Sequence, residues 1–147
     1  MKVMIVERKG ALHVREGRVA FSDALRHGTL FITVVPRNDG THNMFDAPEL
    51  EAMDSTAILV NVGRGGVVNE EAIARSLRDG QIGGFATDVF PVEPATKETS
   101  VLLDETIPNL ILSPHIAWFS SKTIQGTKDV LKRNIEGFVS GQAQNVV

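Results

Sequence analysis

The chain has 147 residues, 42% of them hydrophobic and 22% charged, with a net charge of −3. At this length one domain is the expectation. The absence of any basic run interleaved with aromatics argues against a nucleic-acid partner. There is no cysteine, hence no disulfide and no thiolate metal site, and no metal is expected. No apolar run approaches the roughly 20 residues that cross a bilayer. The opening stretch from Met1 to Glu7 lacks the apolar core and cleavage site of a signal peptide, so a soluble, cytoplasmic protein without a membrane partner follows by default.

Lys2 to Val6 reads as an apolar strand that ends at Glu7 and is followed by Arg8, Lys9 and Gly10. In a dinucleotide-binding fold a carboxylate at such a strand tip holds ribose hydroxyls, and neighbouring Arg8 and Lys9 could instead receive a ribose phosphate. A strand that simply ends in solvated charge gives the same pattern. Residues 11–20 are weakly patterned, and His13 has no partner at metal-ligand spacing. Phe21 to His27 reads as a short helix with Ser22 or Asp23 near its cap and Gly28 at its end. Leu30 to Val35 is a β-branched, buried strand stopped by Pro36. After a polar, turn-rich loop, Asp46, Pro48 and Glu49 supply a cap, a first-turn proline and a capping-box acid for a helix reaching about Met53.

Ala57 to Val62 is a buried strand that runs into the turn Gly63-Arg64-Gly65-Gly66. The glycines allow a sharp bend and close approach to a ligand. Asn69 caps a helix to Arg78, with Glu70 and Glu71 at its positive end and Arg75 and Arg78 near its negative end. Gly84 to Phe90 is a further strand carrying Asp88, and Pro91 and Pro94 stiffen the loop around Glu93. A polar connection over residues 95–108 leads to the strand Leu110 to Ser113, then Pro114 and His115. A last helix runs from about Ser121 to Phe138. Strands alternating with helices imply α/β architecture, a mostly parallel sheet with helices on both faces and right-handed crossovers.

Arg64, Glu93 and His115 each follow a strand by a few residues, so a parallel sheet brings them to one rim, where open α/β sheets bind ligands. Their chemistry suits reversible reduction of a ketoacid. A guanidinium binds the carboxylate, an imidazole exchanges a proton with the carbonyl oxygen, and a carboxylate fixes the imidazole tautomer. The hydride then has to come from a nicotinamide, because no side chain supplies one.

The segments Asn61-Val-Gly-Arg-Gly-Gly-Val-Val68, Asp88-Val-Phe-Pro-Val-Glu-Pro94 and Pro108-Asn-Leu-Ile-Leu-Ser-Pro-His-Ile-Ala-Trp118 are similar, in order and spacing, to the arginine, acid and histidine motifs of the D-isomer-specific 2-hydroxyacid dehydrogenases. The resemblance is to the cofactor-binding domain. It implies Arg64 as the substrate-carboxylate residue, His115 as acid/base and Glu93 as its orienting partner. It places Asp88 at the nicotinamide carboxamide and Glu7 at the adenosine ribose, with Arg8 leaving NAD or NADP open. Val35, Pro36, Val62 and Gly63 line the cofactor groove, with Arg64, His115 and Ala117 also facing the cofactor. The implied activity is oxidation of D-2-hydroxyacids, or reduction of 2-ketoacids such as hydroxypyruvate or glyoxylate, with a small-molecule substrate and a possible homodimer. The ending His115-Ile-Ala-Trp118 is similar to the glycerate dehydrogenase and hydroxypyruvate reductase branch. The pattern differs from the family in lacking the first strand and its glycine fingerprint, so NAD binding that is weak or absent, and impaired activity, are expected. It is also expected that the sheet either closes the gap or leaves an edge open to another chain. Gly63 and Arg37 stand where the family more often has a small Ala or Ser and an apolar residue.

Overall fold

The computed structural model describes residues 2–146. The terminal Met1 and Val147, with which the opening stretch begins and the tail ends, lie outside the described residues. The chain divides into two units, one up to His115 and the other from Ile116 on.

In the first unit a parallel pair, β1 (Ile5–Val6) and β2 (Arg18–Val19), precedes α1 (Phe21–His27). There follow β3 (Leu30–Thr33), α2 (Ala47–Glu51), β4 (Ile58–Asn61), α3 (Glu70–Arg78), β5 (Gly84–Thr87), a single 3-10 turn at Val101–Leu103 and β6 (Leu110–Leu112). The four later strands form one parallel sheet in the order β3-β4-β5-β6. Strand, helix and parallel strand alternate as the sequence implies.

The core forms on one face of that sheet. Phe31, Leu59 and Phe85 stand in register across β3, β4 and β5, and all are buried. Burying a side chain of this size contributes about 1.5–3 kcal/mol. Leu25 of α1, Leu50 of α2, and Ile73 and Leu77 of α3 complete the cluster. Phe45 joins it, its ring edge-on to Phe21 at 5.6 Å and to Phe31 at 6.3 Å. Both helix starts behave as their residues dictate. Asp46 and Glu49 form a reciprocal capping box, and the Asn69 side chain accepts from the amides of Glu71 and Ala72.

Four sequence expectations need correcting. The first strand is two residues long instead of running from Lys2, and its partner β2 lies in the stretch 11–20 that shows little pattern. The cap residue of α1 is Ala20, with no side-chain bond, so Ser22 and Asp23 sit inside the first turn. β3 ends at Thr33 and β5 at Thr87, where the Thr87 hydroxyl turns back to bond Val89 O at 2.8 Å. Finally, the first unit's helices cover one sheet face only. On the other, Leu30, Ile32, Ile58 and Ile111 are exposed, Ile32 by 60% and Ile111 by 69%. The gap expected between the Glu7 strand and the Phe31 strand is not closed. β1 pairs with β2 alone and β3 with β4 alone among the described residues.

The second unit contains α4 (Ser121–Val139), which Ser120 caps by accepting from Thr123 N at 3.1 Å. No helix of the described residues is long and apolar enough to cross a membrane.

Candidate active site

Beneath the carboxyl ends of β3, β4 and β5 runs a buried polar row, Thr33, Asn61 and Thr87, in register across the sheet. Asn61 is its hub. Its Oδ1 accepts from Thr33 Oγ1 at 2.8 Å and from Gly63 N at 3.1 Å, and its Nδ2 donates to Arg64 O at 3.0 Å. One buried amide thereby closes the arginine turn on itself. A buried polar group is tolerated only when bonded in this way.

The turn is also pressed against its neighbours. A Cβ on Gly63 would lie 2.7 Å from Val35 O, so the ends of β3 and β4 touch backbone to backbone. A Cβ on Gly65 would lie 2.0 Å from the carbonyl carbon and oxygen of Phe90. These two positions admit no side chain without backbone movement. Arg64 itself is exposed, with Nη1 donating to Gly63 O at 2.7 Å. Arg37 lies over Gly66, its Cζ 3.1 Å from where a Cβ would be.

Phe90 links the arginine turn to the acid. Its N–H donates to Glu93 Oε1 at 2.9 Å, and Glu93 Oε2 lies 2.7 Å from His115 Nδ1. The His115 hydrogen bond, then the Phe90 amide, hold the Glu93 carboxyl below its usual range. An ionised carboxylate only accepts, so Nδ1 carries the proton of the pair. Both side chains are partly open to solvent. The backbone of His115 is left-handed, with φ 55°. For a residue other than glycine this conformation is strained, and such strain concentrates at functional sites.

The structure thus bonds Glu93 to His115 directly and sets the Arg64 turn against the same loop through Gly65 and Phe90. Asp88 is buried at the end of β5, and its Oδ1 accepts from Ser113 Oγ at 2.5 Å. Val62 and Pro36 are exposed at the strand ends, and Val35 is half-buried. Ala117 falls in the second unit. Glu7 is buried at the end of β1, and both its oxygens are engaged. Oε1 accepts from Arg8 N at 2.9 Å and Arg15 Nη2 at 2.6 Å, and Oε2 from Arg15 Nε at 2.7 Å and Arg15 N at 3.3 Å. The Arg15 fork, with the Arg8 amide, holds the Glu7 carboxyl far below the ordinary range.

Three contributors went unassigned in the sequence. Asn61 and Ser113 lie within the motifs, where the chemistry expected of the site calls for neither. An inward-facing polar residue at the same register of three strands was the available signal for Asn61. Arg15 sits in the unpatterned stretch, and nothing local marks its bond to Glu7.

The family model "D-isomer specific 2-hydroxyacid dehydrogenase, NAD binding domain" matches residues 1–117. A glycerate dehydrogenase of Methylorubrum extorquens is 41% identical over 133 residues, covering 90% of this chain and 42% of the relative. A glyoxylate reductase of Thermococcus onnurineus is 36% identical over 120 residues, covering 82% of this chain and 35% of the relative. The crystal structure of a D-lactate dehydrogenase from Aquifex aeolicus, complexed with NAD and lactic acid, is 25% identical. It superposes with a TM-score of 0.74 over 90% of this chain and 45% of that one. The chain spans less than half the length of these relatives. With its three motifs following strands of one parallel sheet and the family model matching residues 1–117, the chain belongs to the D-isomer specific 2-hydroxyacid dehydrogenases, within their NAD binding domain.

Proposed function

We propose that the chain carries the acid–base machinery of an NAD- or NADP-dependent dehydrogenase acting on small D-2-hydroxyacids, with glyoxylate or hydroxypyruvate as the ketoacid partner. The observation that carries this reading is the 2.7 Å bond between Glu93 and His115 Nδ1. The relatives named glycerate dehydrogenase and glyoxylate reductase support the substrate class.

A nicotinamide, when bound, would supply or accept the hydride at the substrate carbon. The strand-end residues fit its reactive end. Asp88, held by Ser113, and the exposed Val62 follow the carboxyl ends of β5 and β4, and it is outside such strand ends that open α/β sheets take ligands. Arg64 would bind the substrate carboxylate through its planar fork and polarise the adjacent carbonyl. His115 would give the Nε2 proton to the carbonyl oxygen in reduction and take it back in oxidation. Glu93 would hold the ring orientation and stabilise the imidazolium. At the adenosine end Glu7 has no oxygen to offer an unmodified ribose diol, and no step is assigned to it.

The test is loss of reduced-nicotinamide absorbance with glyoxylate or hydroxypyruvate. Turnover that falls about 10²–10⁴-fold in His115→Ala supports the reading, that being the usual contribution of a general acid. Turnover undiminished by the substitution contradicts it.

A second reading is favoured by the bare sheet face of Leu30, Ile32, Ile58 and Ile111 and the open edge of β3. On that reading the chain is a non-catalytic module that pairs with another polypeptide, because an uncovered edge is a template for strand addition. A stable complex with no turnover would favour it.

A further inference from the structure

A pocket of about 300 Å³ lies between the arginine turn, the acid loop and the start of α3. That is the lower end of the range that holds small molecules. Arg64, Glu93 and His115 are not among its lining residues. One end is cationic. The Arg37 guanidinium lies over Gly66, its Cζ and Nε each 3.1 Å from where a Cβ would be. Arg37 is exposed and makes no hydrogen bond or ion pair among the described residues. The other end is anionic. Glu70 and Glu71 stand side by side in the first turn of α3. Glu71 is exposed, and its side chain has no partner among the described residues. Glu70 has one oxygen bonded by Ser100 Oγ at 2.7 Å, while its Oε1 is buried with no partner among the described residues. A buried acceptor is costly until a donor completes it. Lys97 and Glu98 add one charge of each sign to the wall and leave this polarity unchanged.

A simple anion drawn to Arg37 is repelled by the two carboxylates, and a simple cation drawn to them is repelled by Arg37. A molecule with a carboxylate at one end and an ammonium at the other satisfies both. The guanidinium fork matches the carboxylate, and the ammonium brings three donors to the glutamates. The backbone sets the length between them. Val67 to Asn69 is extended, because Val67 O and Asn69 N both bond the backbone of Phe45. Four steps of about 3.3 Å put Glu70 at most roughly 13 Å from Gly66, and two hydrogen bonds of about 3 Å leave about 7 Å for the ligand. We infer that this pocket takes a linear ω-amino acid, with its carboxylate on Arg37 and its ammonium between Glu70 and Glu71. An α-amino acid, with its charges on adjacent carbons, is too short to bridge the two ends. Such an occupant rests against the arginine turn at Gly66 and the acid loop at Pro91, apart from the site of the ketoacid.

The full chain titrated calorimetrically with 6-aminohexanoate, hexanoate and hexylamine tests the inference, since the three differ only in their end groups. 6-Aminohexanoate, whose methylene chain spans the required length, is expected to bind one to a chain and about tenfold or more tightly than either of the others, the scale of a charged hydrogen bond. Arg37→Gln and Glu71→Gln are each expected to lower its affinity about tenfold, because each removes one charged partner. Both side chains are exposed and bond nothing among the described residues, so neither variant disturbs the fold. Binding no tighter than that of hexanoate or hexylamine, an affinity unmoved by either substitution, or no saturation by about 10 mM overturns the inference. His115→Ala is expected to leave the binding unchanged, so the outcome stands apart from that of the dehydrogenase reading.

Discussion

Replacing Gly65 by alanine tests whether the arginine turn and the acid loop are one rigid unit. The added Cβ would sit 2.0 Å from the carbonyl carbon and oxygen of Phe90 and 2.4 Å from Pro91 N. Ordinary carbon contacts are about 3.5–4.0 Å, so relief requires roughly 1.5 Å of movement. All three obstructing atoms are backbone, so no flexible side chain can give way. Overpacking of this kind costs about 1–3 kcal/mol. For a domain near this size each kcal/mol lowers Tm by about 2–4 °C, which puts the expected fall at roughly 2–12 °C. The same movement carries Phe90 N, the donor to Glu93, away from Arg64. A misplacement of about 1 Å between cooperating groups costs on the order of 10²-fold in rate. Thermal unfolding followed by circular dichroism measures the first effect, and kcat/KM the second. Gly126→Ala in α4 is the control, because a Cβ there meets nothing within 4 Å. A Gly65→Ala protein that melts no lower than the parent refutes the argument, while Gly126→Ala, in an open helix position, is expected to melt no lower than the parent.

Asn61→Ala removes the bonds to Gly63 N and Arg64 O and orphans the buried Thr33 hydroxyl. A loss of about 1–3 kcal/mol for each group left unsatisfied is expected by denaturant unfolding, while Asn61→Asp retains the acceptor bonds and loses less. Glu70 has one oxygen bonded by Ser100 at 2.7 Å and the other buried without a partner among the described residues, and burial raises its carboxyl above the ordinary value. A raised acid pKa means that the native state binds its proton more readily than the unfolded state, so this group's contribution to stability falls as pH rises through the ordinary carboxyl range. Glu70→Gln should therefore melt above the parent at neutral pH, and the difference should shrink as pH drops below that range. A constant difference across pH would contradict the assignment.

Where local chemistry dictated structure, the sequence was legible. The Asp46 and Glu49 capping box, the Asn69 cap and the apolar run of Ala57 to Val62, within which β4 lies, can all be read from local sequence alone. The two-residue strands β1 and β2 could not, since Arg18 and Val19 become a strand only by pairing with Ile5 and Val6. Strand ends were overextended at Val35 and Phe90 because hydrophobic letters continue past the point where the Thr33 and Thr87 side chains turn inward to the polar row. At the site, the order of Arg64, Glu93 and His115 after their strands was enough to place Glu93 beside His115. The role of Glu7 was not legible, because its partner Arg15 lies eight residues away across an irregular loop. Nor did the pattern reveal the bare sheet face, since Ile32 and Ile111 look as buried as Phe31 until the layers are assembled.

The central claim is that Glu93 fixes the proton of the His115 ring. Nitrogen-15 NMR of the imidazole measures this directly. With the ring neutral, the proton should reside on Nδ1, and Glu93→Ala should shift it toward Nε2. A neutral His115 protonated on Nε2 in the unaltered chain, unmoved by that substitution, would contradict the account.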